Sequence, residues 1–229
     1  MSAGAVLYAY TKNQIGLRVN VRHSDRGVNY KKKLFKYVKL RKEDTFTPNK
    51  SLIVKIYSIK EISDAPVDNG SVEVPINPNI VADVLLCSAT PGLITPAIVH
   101  SYVKGYMIAY FYALAINIRL ENINQALFRT VNNEIYYTGG WYNNKSEVLV
   151  TEGMIIRVQI EKSSGKQQII PEIDDDGDEI FRPGFFCGAK LLDLANENEI
   201  AYYNEVNNMI YGDTKQTKTS EVELSSKQI

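Results

Sequence analysis

The sequence predicts an α+β fold dominated by β-structure, mainly antiparallel sheet or sandwich, with two short central helices and one C-terminal helix. Three observations carry this expectation. Between Gly105 and Leu120, the residues Tyr106, Ile108, Tyr110, Tyr112, Leu114, Ile116 and Ile118 alternate with Met107, Ala109, Phe111, Ala113, Ala115, Asn117 and Arg119. Successive side chains of a strand point to opposite faces, so this stretch reads as one long strand with a bulky face and a mostly small one. The same alternation recurs at Leu17, Val19 and Val21 and at Met154, Ile156, Val158 and Ile160. Near the C-terminus the period changes, and Ile200, Tyr203, Val206 and Ile210 form a helical stripe.

In chain order, residues 5–10 and 15–22 read as the first two strands, the second with Arg18, Asn20 and Arg22 on its outer face. Ser24-Asp25-Arg26-Gly27 supplies a turn before the lysine-dense segment 30–42. Ile53, Val54, Ile56, Tyr57 and Ile59 mark a strand over 52–62, followed by a loop at 64–70 and a short edge strand at 72–74. Asn77-Pro78 and Thr95-Pro96 each resemble a cap followed by a first-turn proline. They predict helices with apolar faces Ile80, Val81, Val84, Leu85 and Ile98, Val99, Tyr102, Val103, the second stopped by Gly105. Residues 134–138 and 147–150 flank a loop, and Ser163-Ser164-Gly165-Lys166 reads as a hairpin connection into 167–173. No element is assigned to 185–194. Gly212 is the expected end of the last helix, which leaves one β-rich domain over 1–212 and a disordered tail over 213–229, where little can be buried.

The chain has 229 residues, 45% hydrophobic and 23% charged, ordinary values for a globular protein. Cys87 and Cys187 share no metal-binding spacing with each other or with His23 and His100, and read as buried thiols of a reducing compartment. The N-terminus lacks a basic and apolar leader, and His100, Lys104 and Gly105 interrupt the apolar run 93–118. No transmembrane segment and a cytoplasmic or virion location are therefore expected. The formal net charge is zero, yet residues 1–60 hold 14 Lys/Arg against 3 Asp/Glu, while residues 172–229 hold 5 against 13.

The basic segment is the leading candidate site. Arg18, Arg22, Arg26, Lys31, Lys32, Lys33, Lys36, Lys39, Arg41 and Lys42 face a single acid, Asp25, and are interleaved with Tyr30, Phe35 and Tyr37. Lysines meet phosphates and aromatics stack on unpaired bases, so RNA is one expected partner and an anionic membrane surface the other. Lysines that guard a sheet edge would produce the same composition. Lys104 to Phe111 half-matches the RNA-recognition octamer, with basic-Gly-aromatic at its start and an aromatic at its end. Met107 and Ile108 depart from that pattern, and core packing accounts for the stretch. Asp174 to Glu179 loosely resembles a calcium loop, but Pro183 stands where the bidentate Glu belongs, and a solvated acidic loop is the expectation.

No Gly-x-Ser-x-Gly, Gly-x-x-x-x-Gly-Lys, Gly-x-Gly-x-x-Gly or Cys-x-x-Cys motif occurs, and no cofactor is implied. The leading expectation is a non-enzymatic structural or assembly protein of the viral coat, matrix or movement type, self-associating, with its basic N-terminal face on an anionic partner. The alternatives are a single-stranded nucleic-acid-binding module and a hydrolase acting through paired carboxylates.

Overall fold

A computed structural model of the chain describes residues 8–19, 29–63, 78–139, 147–173 and 179–225. Its contacts gather into two units, residues 10–88 and residues 89–229 with 8 and 9, within a span that the sequence reads as one domain. The first unit contains β1 (Tyr10–Arg18), α1 (Tyr30–Lys42), β2 (Thr45–Phe46), β3 (Leu52–Ser63) and β4 (Asn79–Cys87), in an antiparallel sheet of order β1-β4-β3-β2. Ile80, Ala82, Val84 and Leu86 of β4 form one buried cluster with Leu34 and Val38 of α1 and with Ile53 and Ile56 of β3. This is the face that the helix covers. Leu34 and Val38 are one helical turn apart, so burying them leaves Lys36, and Lys31 to Lys33 before them, in water.

The second unit is built on β5 (Ile94–Val103), β6 (Tyr106–Phe111), β7 (Leu114–Ile123), β11 (Ile155–Ile173) and β12 (Glu179–Leu194). These five strands close into a barrel of order β5-β6-β7-β12-β11, with every pair antiparallel except the parallel β7–β12 pair. Between β7 and β11 the chain forms a three-stranded sheet of β8 (Phe128–Val131), β9 (Glu134–Tyr137) and β10 (Val148–Leu149). The helix α2 (Glu197–Ser225) follows β12. Numbered along the barrel alone, its circuit is one-two-three-five-four, with three and five parallel. This is the arrangement of the OB-fold, a small Greek-key barrel.

Inward residues fill the barrel: Met107, Ala109 and Phe111 from β6, Leu114, Ile116 and Ile118 from β7, Ile156, Val158 and Ile160 from β11, and Phe185, Cys187, Ala189 and Leu191 from β12. Burial pushes the Cys187 thiol up to about 12. At the turn between β6 and β7, α2 supplies an aromatic lid. Tyr203 stacks on Phe111 at 5.2 Å and on Tyr112 at 5.5 Å, Tyr202 meets Phe111 edge-on at 5.7 Å, and Val206 is fully buried. The helix starts with a reciprocal cap in which the Glu199 N–H donates to Asn196 Oδ1 and the Asn196 N–H to Glu199 Oε2, both at 3.0 Å.

The expectation of a β-dominated α+β protein with antiparallel sheets holds, but several elements differ. The two expected central helices are strands β4 and β5. Their apolar residues suit a helical stripe, but the end of β4 is buried on both faces, with Val84, Leu85, Leu86 and Cys87 all covered, and the alternation of Ile80 to Asp83 is lost there. The single long strand over 106–120 is a hairpin, turned at Tyr112-Ala113 with Tyr112 at φ 51°. The turn inverts parity, so Met107, Ala109 and Phe111 point inward before it and Leu114, Ile116 and Ile118 after it. Ser163 to Lys166 is not a hairpin connection but lies within β11, paired with Cys187 to Gly184 of β12. The unassigned stretch 185–194 belongs to β12. The segment 30–42 is a helix, and one continuous strand, β1, covers the described part of the two strands expected over 5–10 and 15–22, whose residues 5–7 and 20–22 lie outside the described residues. The helix α2 is continuous through Gly212 to Ser225. The edge strand at 72–74 lies outside the described residues.

Candidate nucleic-acid interface

The outward face of β6, β7 and β12 carries an open groove of about 620 Å³. Strand register explains its shape. Ile108 pairs with Asn117, which pairs with Gly188, and this row of modest side chains makes the floor. On one side, Tyr106 pairs with Arg119 and stands 40% exposed. On the other, Phe186 pairs with Ala115 and stands 42% exposed. Both rings thus stand open to water on a concave surface.

Polar groups rim this groove. Arg119 Nη1 lies 3.4 Å from Glu121 Oε1, and Asn122 Nδ2 donates to Glu161 Oε2 at 2.7 Å and to the Ala189 carbonyl at 3.2 Å. Both acids of the groove are thus engaged by a neighbouring donor. Lys162 also lines the groove, and Lys166 Nζ sits 5.2 Å from the centre of the Phe186 ring. The surface therefore combines two aromatic faces, the Asn117 amide, the Asn122 Oδ1 acceptor, and a margin that carries Arg119 and Lys162 beside Glu121 and Glu161.

The sequence-derived candidates fall elsewhere, in the first unit. Lys31, Lys32, Lys33, Lys36, Lys39, Arg41 and Lys42 all belong to α1, which has no acid in its first turn. Lys31, Lys32, Lys33, Lys36 and Arg41 are exposed. Lys39 lies 3.6 Å from Glu43 and 5.6 Å over the Phe35 ring, and Arg41 lies 5.6 Å over Tyr37. Arg18 ends β1 and is exposed, while Arg22 and Arg26 lie outside the described residues. The acidic stretch 174–178 also lies outside them. Among the described residues, no three His, Cys, Asp or Glu side chains gather as a metal site, and no helix is long and apolar enough to cross a membrane.

Tyr106 belongs to the half-matched octamer, for which core packing is the expectation from sequence. Packing does account for Met107, Ala109 and Phe111, but Tyr106, Ile108 and Tyr110 are on the other parity and face out. Phe186 lies in a segment whose sequence shows no clear element, and only the pairing of β12 places it on this face. No protein-family model matches this chain, and no curated protein sequence matches it.

Proposed function

We propose that this protein binds single-stranded nucleic acid without catalysing a reaction on it, with bases lying in the barrel groove and phosphates meeting Lys162 and Lys166 beside it. The exposure of Tyr106 and Phe186 on the β6-β7-β12 face of an OB-type barrel carries the reading. That face is where barrels of this topology hold oligonucleotides, and aromatic platforms suit single strands because every base has a face to stack. Tyr106 and Phe186 stand about four residues apart along the strands, roughly 13 Å, so they offer separate stacking positions. The Asn117 amide can donate to and accept from base edges between them, and Asn122, whose two N–H groups are held by Glu161 and the Ala189 carbonyl, can accept through Oδ1. The charge division adds to the reading, since residues 10–88 hold 14 Lys/Arg against 8 Asp/Glu. A coat, matrix or movement component would use such binding, and assembly on a strand is the biological setting that this reading favours.

Fluorescence anisotropy with labelled oligo-dT and oligo-U tests it. Base stacking on an aromatic contributes about 1–3 kcal/mol, so Tyr106→Ala or Phe186→Ala should each weaken binding roughly 5- to 150-fold. A double variant that binds single strands as tightly as the unaltered protein refutes the proposal.

A further inference from the structure

A second surface, in the first unit, has the chemistry of a phosphate track. On the face of the β1-β4-β3 sheet opposite α1, Lys12 of β1 and Lys55 of β3 both pair with Leu85 of β4, one on each side. Their ammonium groups each lie 5.6 Å from the centre of the Tyr57 ring. Two residues further along, Gln14 Nε2 donates to Asp83 Oδ1 at 2.7 Å and Ser58 Oγ donates to Asp83 Oδ2. Those bonds hold the Asp83 carboxyl below its ordinary range and commit both of its oxygens. In the next row, Lys60 pairs with Val81. At the β3 edge, Tyr57, Ser58 and Lys60 then line a groove of about 590 Å³ with Phe35, Lys31 and Lys32 of α1.

We infer that this face, from Lys12 and Lys55 across Tyr57 to Lys60, Lys31 and Lys32, binds the phosphodiester backbone of nucleic acid. Five lysines on three elements converge on one strip, and Tyr57 offers a surface for a base or sugar between them. Lysine is a point-charge phosphate binder, which suits a backbone that presents one charge per nucleotide. A membrane surface is less well served, because the strip folds over a sheet edge into a groove and a bilayer needs a broad open face. Lys31 and Lys32 were visible in the sequence as part of the basic run; Lys12, Lys55, Tyr57 and Lys60 come together only in the sheet. The inference stands beside the barrel reading and can succeed or fail without it.

The test uses the full chain and a single-stranded oligonucleotide, titrated over a range of KCl concentrations. Each phosphate contact with a single strand contributes about 0.7 to the slope of log K against log salt. Changing Lys12, Lys55 and Lys60 together to Gln should flatten the slope by about 2, with far-UV circular dichroism unchanged. Tyr106→Ala combined with Phe186→Ala should weaken binding and leave the slope alone. If the lysine variant keeps the original slope, the inference is overturned, whatever the aromatic variant does. It is equally overturned if the lysine variant loses capture by phosphatidylserine vesicles while its oligonucleotide slope is unaltered, since the partner is then a membrane. An aromatic variant without effect, beside a flattened lysine slope, would remove the barrel reading and keep this one.

Discussion

Gly184 is where closure of the barrel is most exposed to a single substitution. A Cβ built there would lie 2.6 Å from the Ala113 carbonyl oxygen and 2.8 Å from Ile170 Cγ1. The Ile170 side chain can rotate away, but the carbonyl cannot move freely, because it accepts the Phe185 N–H at 2.8 Å and so starts the parallel β7–β12 pairing. Overpacking of this kind costs ~1–3 kcal/mol, and losing the hydrogen bond adds ~0.5–1.5. Alanine returns ~0.4–1 kcal/mol by restricting the unfolded chain, so Gly184→Ala should destabilise by a net ~0.5–4 kcal/mol. Gly188→Ala, on the same strand, is the control. Its Cβ would find nothing nearer than Lys162 Cβ at 4.0 Å, and it should be neutral or slightly stabilising. Urea denaturation of both variants reads the difference. Gly184→Ala as stable as the unaltered chain, or an equal loss in Gly188→Ala, would show that β12 does not approach the Tyr112-Ala113 turn as described.

Further outcomes follow from other parts of the two units. Phe111 is fully buried in the barrel and stacked by Tyr203, so Phe111→Ala should cost ~3–5 kcal/mol in the same assay; a loss below 1 kcal/mol on that scale would contradict the aromatic lid. Ending the chain after Gly212 should leave the melting temperature unchanged, since residues 213–229 offer only Val222, Leu224 and Ile229 to any core. A fall of many degrees would show that they dock. Burial raises the Glu43 carboxyl above its ordinary 4.5, against the opposing Ile56 N–H and Lys39. The folded state therefore holds that proton more tightly than the unfolded chain, and stability declines as pH rises from 4.5 through the folded value. Glu43→Gln should lose this decline while still accepting the Ile56 N–H, so equal pH dependence of the two proteins between acid and neutral pH would sink the argument.

The sequence alone determined the β-rich character and the strands whose two sides differ. Met154 to Ile160 alternates because β11 has one face in the barrel and one outside it, and the final helix is legible because Val206 and Tyr203 return at its period. The basic run was equally plain, since composition needs no fold to be read. Tertiary structure decided the rest. Strands β4 and β5 were concealed because burial on both sides of β4 over Val84 to Cys87 erases the period that separates strand from helix there, and proline at Pro78 and Pro96 imitates a helix start. The Tyr112 turn was concealed because its residues carry no Gly or Asn signal, and the positive φ at Tyr112 is stabilised by ring contacts with Tyr203 and Tyr211 from α2. Both proposed binding surfaces belong to this second category. Tyr106 and Phe186 are 80 residues apart in the chain, and only the parallel closure of β12 on β7 brings them to one groove. Lys12 and Lys55 meet across β4 for the same physical reason: a sheet orders side chains by register, and register is a property of paired strands, not of the chain between them.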